Sequence, residues 1–274
     1  MTNKLEPRLE LVRRLVHQHA PADGRVLEVS CGKAPLLVAL KEDGFDVRGT
    51  NFTQYPGAAA DVPIDSGVDL MKGTPYEDGQ FDCVMLLDVV EHLSDHQRAV
   101  AEVRRVLKHD GVLIVLTPNI MRINSRLHFL FTGFFKIKRS FVGFDVPAER
   151  AFAFHNHPVR MPVFLYHLTA HDLHCAQVAA FQYKPKSILM WLLLAPWIAV
   201  STWLNCRWAE RHLRGSPAGR RLVSTLTSFQ ALNGESIVLV ARKLQAEARR
   251  QTTRLPEWSK PHTDEAKVAD QSNA

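Results

Sequence analysis

The chain has 274 residues, of which 46% are hydrophobic, and a formal net charge of +6. This length and apolar content suffice for one folded domain with an elaboration, which excludes a chain that is disordered throughout. The four cysteines, at positions 31, 83, 175 and 206, form no close pair. Neither a zinc knuckle nor a disulfide framework is therefore indicated, and a reducing compartment fits.

The first half of the chain alternates predicted strands and helices. Residues 1–20 are charged and amphipathic without an apolar core, which predicts a helix packed on the domain rather than a signal sequence. The elements predicted next are a strand at 26–29, a turn at 30–32, a helix at about 35–42, a strand at 45–49 ending at 50–51, and a short strand at 68–70. Sequential units of this kind imply a doubly wound, parallel sheet.

Residues 76–119 predict a buried strand, a ligand-facing turn, a helix and a second strand. The apolar run 81–87 is typical of a central parallel strand, and Asp88, Glu91 and His92 follow it where open α/β sheets bind ligands. Ser94 or Asp95 can cap the next helix, whose apolar stripe contains Val100, Val103, Val106 and Leu107. Asp110 and Gly111 are predicted to stop that helix before a strand that closes at Pro118.

Residues 187–206 form an uncharged run about as long as a membrane span. A last strand is predicted at 235–244, beside a strand that contains 178–185, so both ends of the run must lie on one side of a bilayer. We therefore predict a hairpin, broken at Pro196, that dips into one leaflet. A buried helical subdomain or a dimer contact is the alternative.

Basic residues and tryptophans accompany this run and suit an anionic cytoplasmic membrane surface. They are Lys184, Lys186, Arg207, Arg211, Arg214, Arg220, Arg221, Trp191, Trp197, Trp203 and Trp208. A further patch at 129–144 interleaves aromatic with basic residues. It predicts a lid or membrane-facing loop rather than a nucleic-acid surface, because no RNA-binding motif accompanies it.

Six motifs in this order, LEVSCGKAPLL, GTNF, Asp69-Leu70, PYEDGQFD, DVVEHL and RVLKHDGVLIVLTPN, resemble the class I S-adenosylmethionine-dependent methyltransferases of the branch that modifies small molecules or glycans. The resemblance covers roughly residues 20–120. It implies a seven-stranded Rossmann-like sheet with a hydrophobic helical insertion before the last strand. The predicted divisions are an N-terminal helix at 1–20, the methyltransferase domain at 21–186, the insertion at 187–233, the last strand at 234–244 and a flexible tail at 245–274.

The resemblance also implies a site for S-adenosyl-L-methionine. Glu28 would hold its amino group, Gly32 would leave room for its methionine part, and Asp69 would accept from its adenine. The full set of implied cofactor residues is Glu28, Ser30, Gly32, Asn51, Asp69, Leu70, Leu87 and Asp88. Ser30, Ala34 and Asn51 depart from the family pattern of two glycines and a ribose-binding carboxylate.

An acceptor hydroxyl needs a base, for which the candidates are His155, His157, Glu91 and His92. Local roles in a cap or a loop are the alternative for each of them. His167, His171 and His174 share a predicted helix face, but no carboxylate or cysteine motif frames them, so no metal site is predicted.

The sequence thus predicts a cytoplasmic methyltransferase, peripheral or monotopic at the inner membrane face, that acts on a small or lipid-linked acceptor of glycan or isoprenoid type. One alternative is an interaction module with a decayed cofactor site. A nicotinamide-dependent oxidoreductase is the other, although the first turn lacks the spaced glycines of that fingerprint.

Overall fold

The computed structural model describes residues 5–139, 142–147, 150, 153–208 and 214–244, and seven strands in these ranges form one sheet. In chain order the strands are β1 Arg25–Val29, β2 Asp46–Asn51, β3 Ile64–Ser66, β4 Phe81–Leu87, β5 Leu107–Pro118, β6 Leu173–Tyr183 and β7 Gly234–Lys243. Their spatial order is β3-β2-β1-β4-β5-β7-β6, and only β7 runs antiparallel to its neighbours among the described strands. The predicted mostly parallel, seven-stranded sheet is confirmed. The predicted tail and Arg211 lie outside the described residues.

Helices cover both faces of this sheet. They are α1 Pro7–His19, α2 Pro35–Glu42, α3 His96–Val106, α4 Ile123–Thr132, α5 Met161–Ala170, α6 Pro185–Trp208, α7 Pro217–Leu226 and α8 Phe229–Asn233. The central strand β4 is buried on both sides, since Val84 and Leu86 pack in one apolar cluster and Cys83 and Met85 in the other. This burial explains why its sequence is a continuous apolar run rather than an alternating one.

Several elements have the predicted bounds. Helix α2 covers the predicted residues, and the Asp95 side chain caps α3 by accepting a hydrogen bond from the Arg98 amide at 3.0 Å. The stop of α3, however, was predicted too late. The helix ends at Val106 because Leu107 is extended and pairs with Phe81 of β4, so Asp110 and Gly111 lie inside β5.

The third strand is not at 68–70 as predicted; it is β3, at Ile64–Ser66. Gly67 has a φ of 80°, which breaks the extended backbone. Asp69 then forms a turn, because its carboxylate accepts from the Met71 amide at 3.0 Å and its carbonyl from the Lys72 amide at 2.8 Å. The Val68 amide still donates to the Asn51 carbonyl at 3.1 Å, which keeps Asp69 next to the end of β2.

The predicted hairpin at Pro196 is wrong, because α6 is one continuous helix of 24 residues that contains this proline. Proline removes one backbone hydrogen bond, but the leucines, alanines and tryptophans on either side can continue the helix. It is the one helix in the described residues long and apolar enough to cross a membrane, and only 6% of its most apolar 18-residue window is buried. It is therefore not the core of a buried subdomain.

Both α4 and α6 start at the edge of the sheet where the parallel strands end. Helix α4 follows β5 and α6 follows β6, and β7 begins at the same edge, where Ser236 pairs with Pro118 on one side and Phe181 on the other. Ligands of open α/β sheets bind at this carboxyl edge. The exposed apolar surfaces of the two helices therefore lie next to the sheet edge that carries the candidate site.

Candidate cofactor and active site

The turn after β1 contains three residues with left-handed backbone. Ser30, Gly32 and Ala34 have φ values of 56°, 58° and 60°. The end of β2 holds this turn in place. The Thr50 carbonyl accepts from the Cys31 amide at 2.9 Å, and the Asn51 side chain both accepts from the Gly32 amide at 2.8 Å and donates to the Gly32 carbonyl at 3.0 Å. Ser30 and Ala34, which replace the two glycines of the family pattern, therefore still adopt the left-handed backbone of a glycine turn.

Left-handed backbone should make Ser30 a site where glycine is favoured. The left-handed conformation costs a residue with a Cβ roughly 1–2 kcal/mol of folding free energy. Glycine does not have this steric cost, but it loses more conformational entropy on folding. We expect Ser30→Gly, at an exposed side chain, to raise the free energy of unfolding by about 0.5 kcal/mol. The control is Ser66→Gly in β3, which should lower it by a similar amount. Urea unfolding measures both, and equal losses would contradict the strained turn.

Glu28 lies at the end of β1 under this turn and is buried. Its Oε2 atom has no hydrogen-bond partner among the described residues, and burial raises the pKa of its carboxyl to about 8. A buried carboxylate needs a positive partner. The methionine part of S-adenosylmethionine carries an ammonium group, so the residues present fit the group that the sequence predicts here.

The space in front of Gly32 is open except for one ring. A Cβ at this position would contact only the Tyr55 side chain, at 3.8 Å. Asn51, Tyr55 and Ser66 also line a cavity of about 470 Å³ beside the ends of β2 and β3. A ligand that contacts the turn could therefore extend toward these strand ends.

The other predicted cofactor residues differ in what they offer. Asp69 is partly exposed beside the end of β2, whereas Leu70 is buried in the core and is available for packing only. Leu87 is half-buried at the end of β4. Asp88, whose φ is 54°, forms an ion pair with Arg8 of α1, a contact that nothing in the sequence of this amphipathic helix indicates. Both polar atoms of Asn51 hold Gly32, so the structure gives it a supporting role; ribose contact stays a prediction.

The four candidate bases come together beside the end of β4. Glu91 and His92 lie on a 3-10 turn, Val90–His92, and the loop with His155 and His157 packs against it. The His157 amide donates to the Glu91 carbonyl at 3.1 Å, and the His92 and His155 ring centroids are 4.9 Å apart. The structure thus joins residues more than 60 positions apart in the sequence into one cluster.

Glu91 is the buried member of this cluster, with 1% of its surface exposed. Its Oε2 atom accepts from the Thr117 hydroxyl at 3.1 Å, and its Oε1 atom has no partner among the described residues. Burial, with a smaller contribution from the nearby Asp88, raises the pKa of its carboxyl to about 8. Thr117 was missed in the sequence, although its place at the end of β5 was a usable signal.

Two histidines of the cluster, His92 and His155, have different surroundings. The His92 Nδ1 atom lies 3.0 Å from the Phe154 carbonyl, which fixes a proton on Nδ1 and leaves Nε2 as the acceptor in the neutral ring. Burial, and then the neighbouring His92, lowers the pKa of His155. Glu91, His92 and His155 each offer an atom within 4.8 Å of the others, close enough to share a divalent ion or, through one bridging water, to pass a proton.

The three histidines of the predicted helix face are separated by the end of that helix. His167 lies on α5, which ends at Ala170, and Asp172, whose φ is 59°, redirects the chain so that His174 lies on β6. The shared helix face was therefore predicted wrongly.

A comparison with protein families matches residues 27–115 to the model of a methyltransferase domain. The chain is 33% identical over 123 residues to a ubiquinone/menaquinone biosynthesis C-methyltransferase of Citrifermentans bemidjiense, covering 39% of this chain and 52% of that protein. It is 30% identical over 106 residues to a ubiquinone biosynthesis O-methyltransferase of Pseudomonas aeruginosa, covering 36% and 46%. The chain thus spans about half the length of the curated relatives it matches.

Among solved structures, a S-adenosylmethionine-dependent methyltransferase from Archaeoglobus fulgidus aligns over 86% of this chain and 94% of its own, with a TM-score of 0.51 and 14% identity. This likeness shows the fold. The aligned family model covers β1 to β5 and the turns that carry Glu28, Gly32, Asp69 and Glu91. Residues 27–115 therefore match a methyltransferase domain, and the described fold is that of the class I, S-adenosylmethionine-dependent methyltransferases.

Proposed function

We propose that this protein transfers a methyl group from S-adenosylmethionine to a small or lipid-linked acceptor, of glycan or isoprenoid type, at the cytoplasmic face of a membrane. The observation that carries the cofactor part is the buried Glu28 carboxyl, whose Oε2 atom has no partner among the described residues, under an open, left-handed turn. An isoprenoid-type acceptor is supported by the two relatives named for ubiquinone biosynthesis. One of these is named as an O-methyltransferase and the other as a C-methyltransferase, so the acceptor atom does not follow from them.

The chain's residues have two tasks in this reaction, because the bound cofactor supplies a methyl group that its sulfonium already activates. Glu28 and the turn at Gly32 hold and orient the donor. The acceptor must lie in line with the methyl group and lose its proton as the new bond forms and the carbon–sulfur bond breaks. His155 suits the second task, because its lowered pKa keeps it neutral, and therefore able to accept a proton, at neutral pH.

The raised pKa of Glu91 complements this assignment. At pH 7 its buried carboxyl is mainly protonated, so it can orient a neighbouring ring without competing for the acceptor's proton. His92 contacts His155 edge to face and limits the rotation of that ring. His157 is exposed on the same loop and is the remaining candidate.

We expect His155→Gln to slow methyl transfer by about 10²–10⁴-fold, which is the usual contribution of a general base. Formation of S-adenosylhomocysteine by the full chain, with a total lipid extract as acceptor source, measures the rate. On the acid side, the wild-type rate should start to fall only below pH 6.5, because the pKa of His155 lies below its ordinary value. The control is His167→Gln on α5, which should keep the wild-type rate. An unchanged rate for His155→Gln would exclude it as the base.

The membrane part of the proposal is supported by the exposed face of α6. Leu189, Leu193 and Trp197 recur at every fourth residue and form one stripe, and Trp197 is 76% exposed. At the end of α4, Phe131 is 82% exposed. An apolar surface of this extent on a folded chain is typical of an interaction site.

A monotopic arrangement of α6 fits better than a crossing. Helices α7 and α8 follow α6 and return the chain to β7, and Phe229 of α8 contacts both Tyr183 at the end of β6 and Trp191 in the second turn of α6. Because β6 precedes α6 and β7 follows α8, the chain leads to the same sheet from both ends of α6. At its far end, the Arg207 guanidinium lies 5.3 Å from the centre of the Trp203 ring, a pair suited to the headgroup level.

The acceptor can be identified without guessing its class. Untargeted mass spectrometry should detect a lipid or glycan that lacks one methylene in cells without the protein. The full chain should restore the normal mass, and His155→Gln should not. Identical lipid and glycan profiles with and without the protein would contradict a role in modifying them.

A further inference from the structure

A basic pocket lies where α4 and α6 begin, at the edge of the sheet where β5 ends and β7 begins. Its volume is about 460 Å³, within the range of roughly 300–1,000 Å³ usual for small-molecule sites. Four of the residues that line it are basic: Arg122, Lys136, Lys184 and Lys186. We refer to these four residues and the space between them as the basic pocket.

One carboxylate partly neutralises the basic pocket. The Glu235 Oε1 atom lies 3.0 Å from the Lys184 Nζ atom and 3.6 Å from the Arg122 Nη1 atom, so two cations share a single anion. The Lys136 Nζ atom donates to the neutral Asn124 side chain at 3.4 Å. Four positive charges against one negative charge leave the pocket at +3.

Arg122 is the buried cation of the basic pocket, with only 7% of its surface exposed, so water screens its charge little. Its Nη2 atom donates to the Lys136 carbonyl at 2.6 Å, while its Nε atom has no partner among the described residues. One turn further along α4, the Arg126 Nη2 atom is also buried with no partner in the described part of the chain, and burial lowers the pKa of this residue. A buried guanidinium is costly unless an anion compensates it.

The start of α6 adds a favourable field for an anion. Its first three residues, Pro185, Lys186 and Ser187, line the pocket, and the N-terminus of a 24-residue helix carries a partial positive charge. Guanidinium and ammonium groups at a helix N-terminus are the usual donors to phosphate oxygens.

The exposed apolar surface beside the basic pocket favours a phosphate carried by a lipid over a free phosphate. The exposed stripe of α6 begins with Leu189, less than one turn beyond Ser187, and the exposed apolar end of α4 precedes Lys136. A group bound in the pocket would therefore have its attached chain beside apolar surface. We propose that the basic pocket, with its excess charge of +3, binds the terminal phosphate group of an anionic membrane lipid whose hydrocarbon chain lies along α4 and α6. This rests on the membrane orientation proposed above but not on methyl transfer.

Flotation of the full chain with lipid vesicles tests the proposal. The vesicles contain phosphatidylcholine with either 20% phosphatidic acid or enough phosphatidylserine to give the same surface charge. We expect Lys184→Gln/Lys186→Gln to bind the phosphatidic acid vesicles about 30-fold more weakly than wild type, since each basic residue near an anionic surface contributes about 1 kcal/mol, or about fivefold. The matched control, Lys41→Gln/Lys72→Gln on distant surfaces, removes the same charge and should change binding less than about twofold.

Three outcomes would overturn the proposal. Equal losses in the two double variants would mean a diffuse electrostatic attraction, as would equal wild-type binding to the two kinds of vesicle at matched charge. Inorganic pyrophosphate that binds the pocket by calorimetry without reducing vesicle binding would assign the site to a free phosphate. The assay contains no S-adenosylmethionine, so its result is independent of whether the protein transfers methyl groups.

Discussion

Glu28→Gln should make the protein without its cofactor more stable at pH 8 while weakening its binding of S-adenosylhomocysteine about 100-fold. The folded-state pKa of Glu28 is about 8, above its unfolded value of 4.5. The stability associated with its neutral form is therefore fully present below pH 4.5 and is lost as the pH rises through 8. A glutamine stays neutral throughout. On the order of 2–4 kcal/mol of unfolding free energy should be regained at pH 8, after allowance for burial of the amide.

The loss of binding has the same origin as the gain in stability. A carboxylate that is costly when alone becomes favourable when an ammonium group lies beside it. Removing one partner of such a buried pair usually costs 2–5 kcal/mol, or roughly 30- to 5,000-fold in affinity. Thermal unfolding and titration calorimetry with S-adenosylhomocysteine measure the two effects. Glu42→Gln, which changes an exposed carboxylate at the end of α2, is the control and should change neither. A destabilised Glu28→Gln protein with unchanged affinity would contradict the assignment.

Replacing Leu189, Leu193 and Trp197 by serine should release the full chain from membranes. Each exposed side chain contributes roughly 1.5 kcal/mol when buried in an apolar phase, so the three together should change the membrane partition on the order of 1,000-fold. Fractionation of cells that express the wild type or the triple variant measures the effect. Circular dichroism should show that the variant keeps its helical content.

Two controls separate a membrane surface from other uses of this face. Tyr166→Ser removes an exposed aromatic side chain from α5 and should leave the membrane fraction unchanged. If the stripe instead joins two copies of the chain, the triple variant should become a smaller species in light scattering with an unaltered membrane fraction. That result would contradict the membrane orientation and, with it, the lipid assigned to the basic pocket.

The sheet could be predicted from the sequence because its signals are local. The apolar run of β4 and the cap and stripe of α3 are patterns within a dozen residues, and they predict both elements apart from the end of α3. The position of β3 and the continuity of α6 could not be predicted in this way. A three-residue strand carries little pattern, and a proline inside an apolar run is compatible with either a break or a continuous helix.

The candidate site was partly visible for the same reason. Glu28 and Glu91 lie at strand ends, where position alone indicates a ligand. The use of the Asn51 amide to hold Gly32, and the ion pair of Arg8 with Asp88, depend on contacts between residues far apart in the chain. No spacing rule indicates such contacts, and they change which residues are free to meet a ligand.

Titration of S-adenosylhomocysteine into the full chain, beside a matched titration of a nicotinamide dinucleotide, tests the central claim most directly. We predict a saturable heat for S-adenosylhomocysteine that Asp69→Ala weakens, and none for the dinucleotide. Heat from the dinucleotide alone would indicate an oxidoreductase, and the absence of heat from both would indicate an interaction module; either result would contradict methyl transfer.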